Sequence, residues 1–82
     1  MSKKLTADRT LLKAGELAKR AGVLVTTIRY YTKIGLLQSD AVSPGKYNLY
    51  DEQNALARLS QIEDLKNRRY TLDEIKQELG QG

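Results

Sequence analysis

Thr27-Ile28-Arg29-Tyr30-Tyr31, followed closely by Gly35-Leu36-Leu37 and preceded by a short apolar segment at residues 15–21, decides how this chain folds. The run reads as the second helix of a helix-turn-helix, covering residues 25–34. On such a helix Thr26, Arg29, Tyr30 and Lys33 fall at i, i+3, i+4 and i+7 and share one side. Val25, Ile28 and Tyr31 take the apolar side. Two hydroxyls, a guanidinium and an ammonium in one stripe are hydrogen-bond donors rather than a packing surface. The phosphates and base edges of DNA are natural acceptors for that stripe.

Working upstream, residues 15–21 form a short helix whose inner face is Leu17, Ala18 and Ala21 at helical spacing. Gly22 follows as the C′ residue, where positive φ is needed. Val23 is the apolar residue of the turn. Two helices joined at a glycine fit the helix-turn-helix pattern, but a plain helical hairpin shares that spacing. The polar donor face, not the turn, favours DNA. Before this unit, residues 1–11 carry Ser2-Lys3-Lys4 after Met1 and read as a flexible basic arm. Residues 12–82 are then one folded domain.

Working downstream, residues 36–50 read as a β-hairpin wing. Leu36-Leu37-Gln38 is one candidate strand and Tyr47-Asn48-Leu49-Tyr50 the other. Ser43-Pro44-Gly45 supplies the turn and the chain's single proline. Asp51 suits the N-cap of a third helix. Leu56, Leu59, Ile62 and Leu65 carry that helix to about residue 69, where cations suit its C-terminus. Thr71-Leu72-Asp73-Glu74 is a capping box. It opens a fourth helix bearing Leu72, Ile75 and Leu79 and ended by Gly80. The fold class is mainly α with a small β-hairpin wing: a winged helix-turn-helix followed by two further helices.

Composition agrees with this reading. At 82 residues the chain has one small core, and 40% hydrophobic with 29% charged residues is ordinary for a folded protein. No run is long enough to cross a bilayer, and the polar N-terminus is no signal peptide. With no Cys and no His, disulfides, thiolate metal sites, zinc centres and the common catalytic triads cannot be built. No metal, cofactor, catalytic residue or small-molecule site is expected, and the chain does not read as an enzyme. The net charge is +4 and the isoelectric point about 9.5. Residues 1–40 hold eight Lys/Arg against three Asp/Glu, a balance of +5, while residues 41–82 hold six against seven, a balance of −1. The excess lies on the helix-turn-helix half, which is the electrostatic footprint of a nucleic-acid binder.

These stretches also resemble a known family. From about residue 13 to residue 79 the chain resembles the DNA-binding domain of MerR-family transcription regulators. The matching segments are Gly15-Glu16-Leu17-Ala18-Lys19, Ala21-Gly22-Val23, Thr27-Ile28-Arg29-Tyr30-Tyr31, Gly35-Leu36-Leu37, Tyr47-Asn48-Leu49-Tyr50-Asp51 and Tyr70-Thr71-Leu72-Asp73-Glu74-Ile75. They come in family order and spacing. The resemblance implies that Arg29 contacts a base or phosphate, that Tyr30 contacts a phosphate, and that the wing lies on the flanking backbone. With that implication the DNA-binding set becomes Lys19, Thr26, Thr27, Arg29, Tyr30, Lys33, Lys46, Tyr47 and Asn48. The other tyrosines, Tyr31, Tyr50 and Tyr70, read as half-buried core residues with wet hydroxyls.

The chain departs from the family pattern at several positions. Leu24 stands where the recognition helix normally has a capping Ser or Thr, a loss of about 1 kcal/mol that predicts a start at Thr26 or a frayed end. Lys13 stands where a capping hydroxyl is common before the first helix. Asn48 replaces the wing's usual Arg, with Lys46 nearby to compensate. Thr32 replaces a usual Glu, and Arg69 a usual Gly. The resemblance further implies a long helix that pairs as an antiparallel coiled coil, followed by an effector-binding part, with the paired DNA-binding domains acting by distorting an over-long promoter spacer. The sequence stops at Gly82 with no heptads to build the long helix. It reads as a fragment of a longer regulator in preference to a small relative that works without that helix. As it stands it is expected to be a monomer, becoming a homodimer within a longer regulator, in the bacterial cytoplasm and nucleoid-associated.

Three functions compete at this point. The first is sequence-specific binding of double-stranded DNA in a transcription regulator. The second is an excisionase-like architectural factor in recombination, built on the same winged fold. The third is a protein-interaction module whose basic face docks an acidic partner.

Overall fold

A computed structural model describes residues 10–80. It shows two helices in a helix-turn-helix, a three-stranded antiparallel sheet and two further helices. In chain order these are β1 (Leu11–Lys13), α1 (Ala14–Ala21), α2 (Val25–Lys33), β2 (Ala41–Val42), β3 (Asn48–Asp51), α3 (Glu52–Asn67) and α4 (Leu72–Gly80).

The two helices of the helix-turn-helix end where the glycines require. Gly22 has φ +73° and Gly35 φ +83°, a left-handed conformation that only glycine adopts without strain. At the first, Val23 N–H donates to the Ala18 carbonyl at 3.0 Å and Gly22 N–H to Lys19 at 3.3 Å. At the second, Leu36 and Leu37 N–H groups both donate to the Tyr31 carbonyl, at 2.8 and 3.1 Å. These bonds satisfy carbonyls that a helix end leaves open.

That second closure corrects the expected strand at residues 36–38. Leu36 and Leu37 are fully buried plugs beneath the helix end, not strand residues. Their amides are committed to Tyr31, and Arg58 Nε on α3 donates to the Leu36 carbonyl at 3.0 Å. An apolar pair reports burial and does not by itself report a strand. The partner of β3 on the wing side is instead Ala41–Val42, with Ala41 opposite Leu49 and Val42 opposite Asn48. On its other edge β3 pairs with β1, Leu12 opposite Tyr50. The sheet order is β1-β3-β2. Of the expected basic arm, residues 1–9 lie outside the described residues. Thr10 and Leu11 are part of the fold: the Thr10 carbonyl accepts from Glu52 N–H at 2.8 Å and Leu11 lies in β1.

One core is shared by β1, β3 and the four helices. It contains Leu12, Leu17, Ala18, Ile28, Tyr31, Leu36, Leu37, Tyr50, Ala55, Leu59, Ile62 and Ile75, with Val23, Val25, Leu56, Leu65, Leu72 and Leu79 packed around it. Tyr50 is not a half-wet tyrosine. It is 1% exposed, and its hydroxyl lies 2.7 Å from Thr32 Oγ1. Thr32 Oγ1 donates its one hydrogen to the Ile28 carbonyl at 2.8 Å. Tyr50 must therefore be the donor to Thr32. The threonine that replaces the family's usual Glu thus ties α2 to β3. Tyr70 departs the other way, standing at the edge of the core and 36% exposed.

The end of the domain follows local rules. Asp51, only 5% exposed, accepts Asn54 N–H at 3.0 Å and caps α3 as expected. Its own N–H donates to Asp40 Oδ2 at 2.7 Å. The capping box of α4 is complete, with Thr71 N–H donating to Glu74 Oε1 at 2.8 Å and Glu74 N–H to Thr71 Oγ1 at 3.2 Å. Helix α3 ends at Asn67, two residues before the expected limit, because Arg69 turns the chain at φ +72°.

Candidate nucleic-acid interface

Helix α2 buries Ile28 completely and Tyr31 almost so, which fixes its rotation. Thr26, Arg29, Tyr30 and Lys33 are then all exposed, with Tyr30 half exposed, and Thr27 is half-buried beside them. The helix starts at Val25, as the 25–34 reading has it, and not at Thr26 as the missing cap suggested. The Leu24 carbonyl accepts Thr27 N–H at 3.0 Å and Ile28 N–H at 3.3 Å, so the backbone holds the first turn without a side-chain cap.

The wing stands beside this helix. Its tip is a turn in which Lys46 N–H donates to the Ser43 carbonyl and Ser43 N–H to the Tyr47 carbonyl, both at 2.8 Å. Lys46 takes the left-handed position of that turn, φ +66°. Tyr47 N–H donates to Ser43 Oγ at 3.1 Å. Lys46, Tyr47 and Asn48 all point to solvent.

An open cleft of about 550 Å³ separates wing from helix-turn-helix, and it gathers five of the nine expected residues: Lys19 from α1, Arg29 from α2, and Lys46, Tyr47 and Asn48 from the wing. Thr26, Thr27, Tyr30 and Lys33 lie outside that cleft on α2. The structure adds Lys13, which sequence reading treated only as a lost cap. Its ammonium sits 4.6 Å from the centre of the Tyr47 ring, a cation–π contact that orients both side chains. The signal that could have found it is the pairing of β1 with β3, which brings residue 13 opposite Leu49 in the wing. Among the described residues Glu16 is the only acid on the cleft, and it caps α1 by accepting Lys13 N–H at 3.2 Å.

What marks this side is the grouping of its cations around one cleft and helix face, since Arg58, Lys66, Arg69 and Lys76 elsewhere also lack an ion pair among the described residues. Among the described residues, Arg20 is bound by Glu52 at 2.7 Å and Arg68 by Asp64 at 3.3 Å. Lys13, Lys19, Arg29, Lys33 and Lys46 have no ion-pair partner there. Five such cations, gathered on β1, α1, α2 and the wing, form a surface for a polyanion. Among the described residues no cluster of His, Cys, Asp or Glu could hold a metal ion, and no helix is long and apolar enough to cross a membrane.

Comparison with known proteins agrees with this geometry. Residues 12–81 match the model of the MerR HTH family regulatory proteins. The HTH-type transcriptional regulator CueR of Bacillus subtilis is 50% identical over 64 residues, covering 78% of this chain and 43% of that protein. The crystal structure of MtaN, the N-terminus of the multidrug transporter activator of Bacillus subtilis, is 35% identical with a TM-score of 0.77, over 83% of this chain and 63% of that one. HiNmlR, a MerR family regulator lacking the sensor domain and bound to promoter DNA, is 26% identical with a TM-score of 0.71, over 83% of this chain and 51% of that one. The chain thus spans less than half the length of the curated relative. It belongs to the MerR family of helix-turn-helix regulatory proteins, and its winged fold is the DNA-binding unit of such a transcription regulator.

Proposed function

We propose that the chain binds double-stranded DNA with α2 in the major groove and the wing on the flanking backbone. Arg29 is the strongest single contact, because its planar fork can take a guanine edge or a phosphate bidentately. Tyr30 donates to a phosphate, and Lys13, Lys19, Lys33 and Lys46 neutralise others. Thr26, Thr27, Tyr47 and Asn48 supply neutral donors. The observation that carries this reading is the clustering of cations from β1, α1, α2 and the wing around one cleft, beside the exposed face of α2. The promoter-bound relative supports it.

This chain acts as a monomer on one half-site. Its longest apolar stripe, on α3, is used by the core: Leu59 and Ile62 are buried and Leu56 and Leu65 packed against them. Within a longer regulator two copies reach two half-sites, the second contact becoming intramolecular and raising affinity steeply. One copy grips one end of a site, so it binds operator DNA without activating transcription. Its place is the bacterial cytoplasm, on the nucleoid.

Titration of a labelled duplex across salt concentrations tests this. Each engaged phosphate lowers log affinity by about 0.9 per tenfold rise in salt, so up to five such contacts give a slope no steeper than about −4.5. A dimeric fusion binds more tightly at every salt, and it alone activates the cognate promoter in vitro. Absence of duplex binding at low salt contradicts the DNA reading. Full activation by the single chain contradicts the monomer mechanism.

A further inference from the structure

We propose that Leu24 is a base-reading residue that packs on the C5-methyl group of a thymine in the major groove. The inference rests on the proposed entry of α2 into that groove. Leu24 is 71% exposed, more than any other large hydrophobic residue described. It occupies the N-cap of α2, where Ser, Thr, Asp or Asn would hold the first turn by a side-chain hydrogen bond. Leucine makes no such bond and takes no part in the core cluster. The side chain therefore serves neither the helix nor the interior.

Its position is nonetheless fixed. The backbone is extended at φ −78°, ψ 148°, and its carbonyl is held by two N–H groups of the first turn. A side chain rigidly mounted on the leading end of a recognition helix is where base edges are met. The major groove offers an aliphatic side chain one apolar group, the thymine methyl. Thr26 and Arg29, exposed on the same helix, supply the polar contacts that set register. Leu24 then adds discrimination of thymine from cytosine, which lacks the methyl.

The test uses the chain as it is and a duplex it selects from a random pool. Each dT of that duplex is replaced singly by dU, which removes only the methyl group. Wild type loses about fourfold in affinity at one or two positions, the effect of one buried methyl-sized group. Leu24→Ala binds dT and dU duplexes equally, with an unchanged salt slope and unchanged circular dichroism. Leu24→Ser, which restores a capping hydroxyl and brings no methyl group, also fails to distinguish them. If no dU position matters to wild type, or if Leu24→Ala still prefers dT, the assignment is overturned. In that case a retained loss on Arg29→Ala shows that the DNA reading itself stands. If the pool yields no preferred duplex, both are overturned.

Discussion

Helices α2 and α4 are both nine residues long, and their N-terminal ends are built in opposite ways. Helix α4 is held at that end by its own side chains. Thr71 and Glu74 exchange hydrogen bonds across its first turn, Asp73 and Glu74 set negative charge against its positive end, and Ile75 is fully buried. Helix α2 has no side-chain cap and no acid in its first turn, and an exposed leucine stands at its head. No acid of its own first turn offsets the positive end of its dipole. The bonds that hold it come from behind: Tyr50 to Thr32, and the amides of Leu36 and Leu37 to Tyr31. The comparison teaches that the domain places its local stabilisation in α4 and its interface on α2. The scaffold supplies from the core what the interface helix lacks at its tip.

Mutations can break or sharpen that contrast. The largest effect is on the scaffold side. Ile75→Ala empties a fully buried site and is expected to cost about 2–5 kcal/mol, measured by urea unfolding. Duplex affinity under folding conditions should stay near wild type, because α4 makes no contact in the proposed interface. A loss of affinity beyond the unfolded fraction would show that α4 shapes the interface directly. Next comes Thr71→Ala, which breaks the capping box and should cost about 1 kcal/mol, again without altering the salt slope of binding.

The corresponding change on α2 has the opposite sign. Leu24→Ser gives that helix the cap it lacks and should raise stability by about 0.5–1 kcal/mol, seen as a higher urea midpoint. DNA affinity should not rise with it. If it does, the missing cap is merely a defect and the contrast fails. The smallest effect is at Arg69. Its φ of +72° is a left-handed position that costs a side chain about 1–2 kcal/mol. Arg69→Gly recovers part of that, offset by about 0.5–1 kcal/mol of added chain entropy. A gain of a few tenths of a kcal/mol in unfolding is expected, and a clear loss would mean that the arginine makes contacts the turn needs.

What was legible in the sequence was local. Gly22 and Gly35 mark both helix ends of the helix-turn-helix because each needs positive φ at one position. Thr71 to Glu74 reads as a cap because both partners lie within four residues. The exposed stripe of α2 follows from its buried stripe, so Thr26, Arg29, Tyr30 and Lys33 were found by period alone. The sheet was not legible in this way. Strand β1 is three residues long and pairs Leu12 with Tyr50, far along the chain, with no turn to announce it. Leu36 and Leu37 look like a strand because an apolar pair has no period. Lys13 escaped for the same reason as β1: only the sheet brings it to the wing. The Tyr50–Thr32 bond joins two residues whose separate readings, a core aromatic and a departure from the family pattern, give no hint of a pair.

The central claim is that the unburied face of α2 grips DNA, and Arg29→Ala tests it most directly. Gel-shift titration of wild type and variant on the selected duplex, with circular dichroism on the same samples, gives both answers at once. The account predicts a loss of about 1–3 kcal/mol in specific binding with helicity and melting unchanged. Unchanged affinity in a folded variant would contradict it.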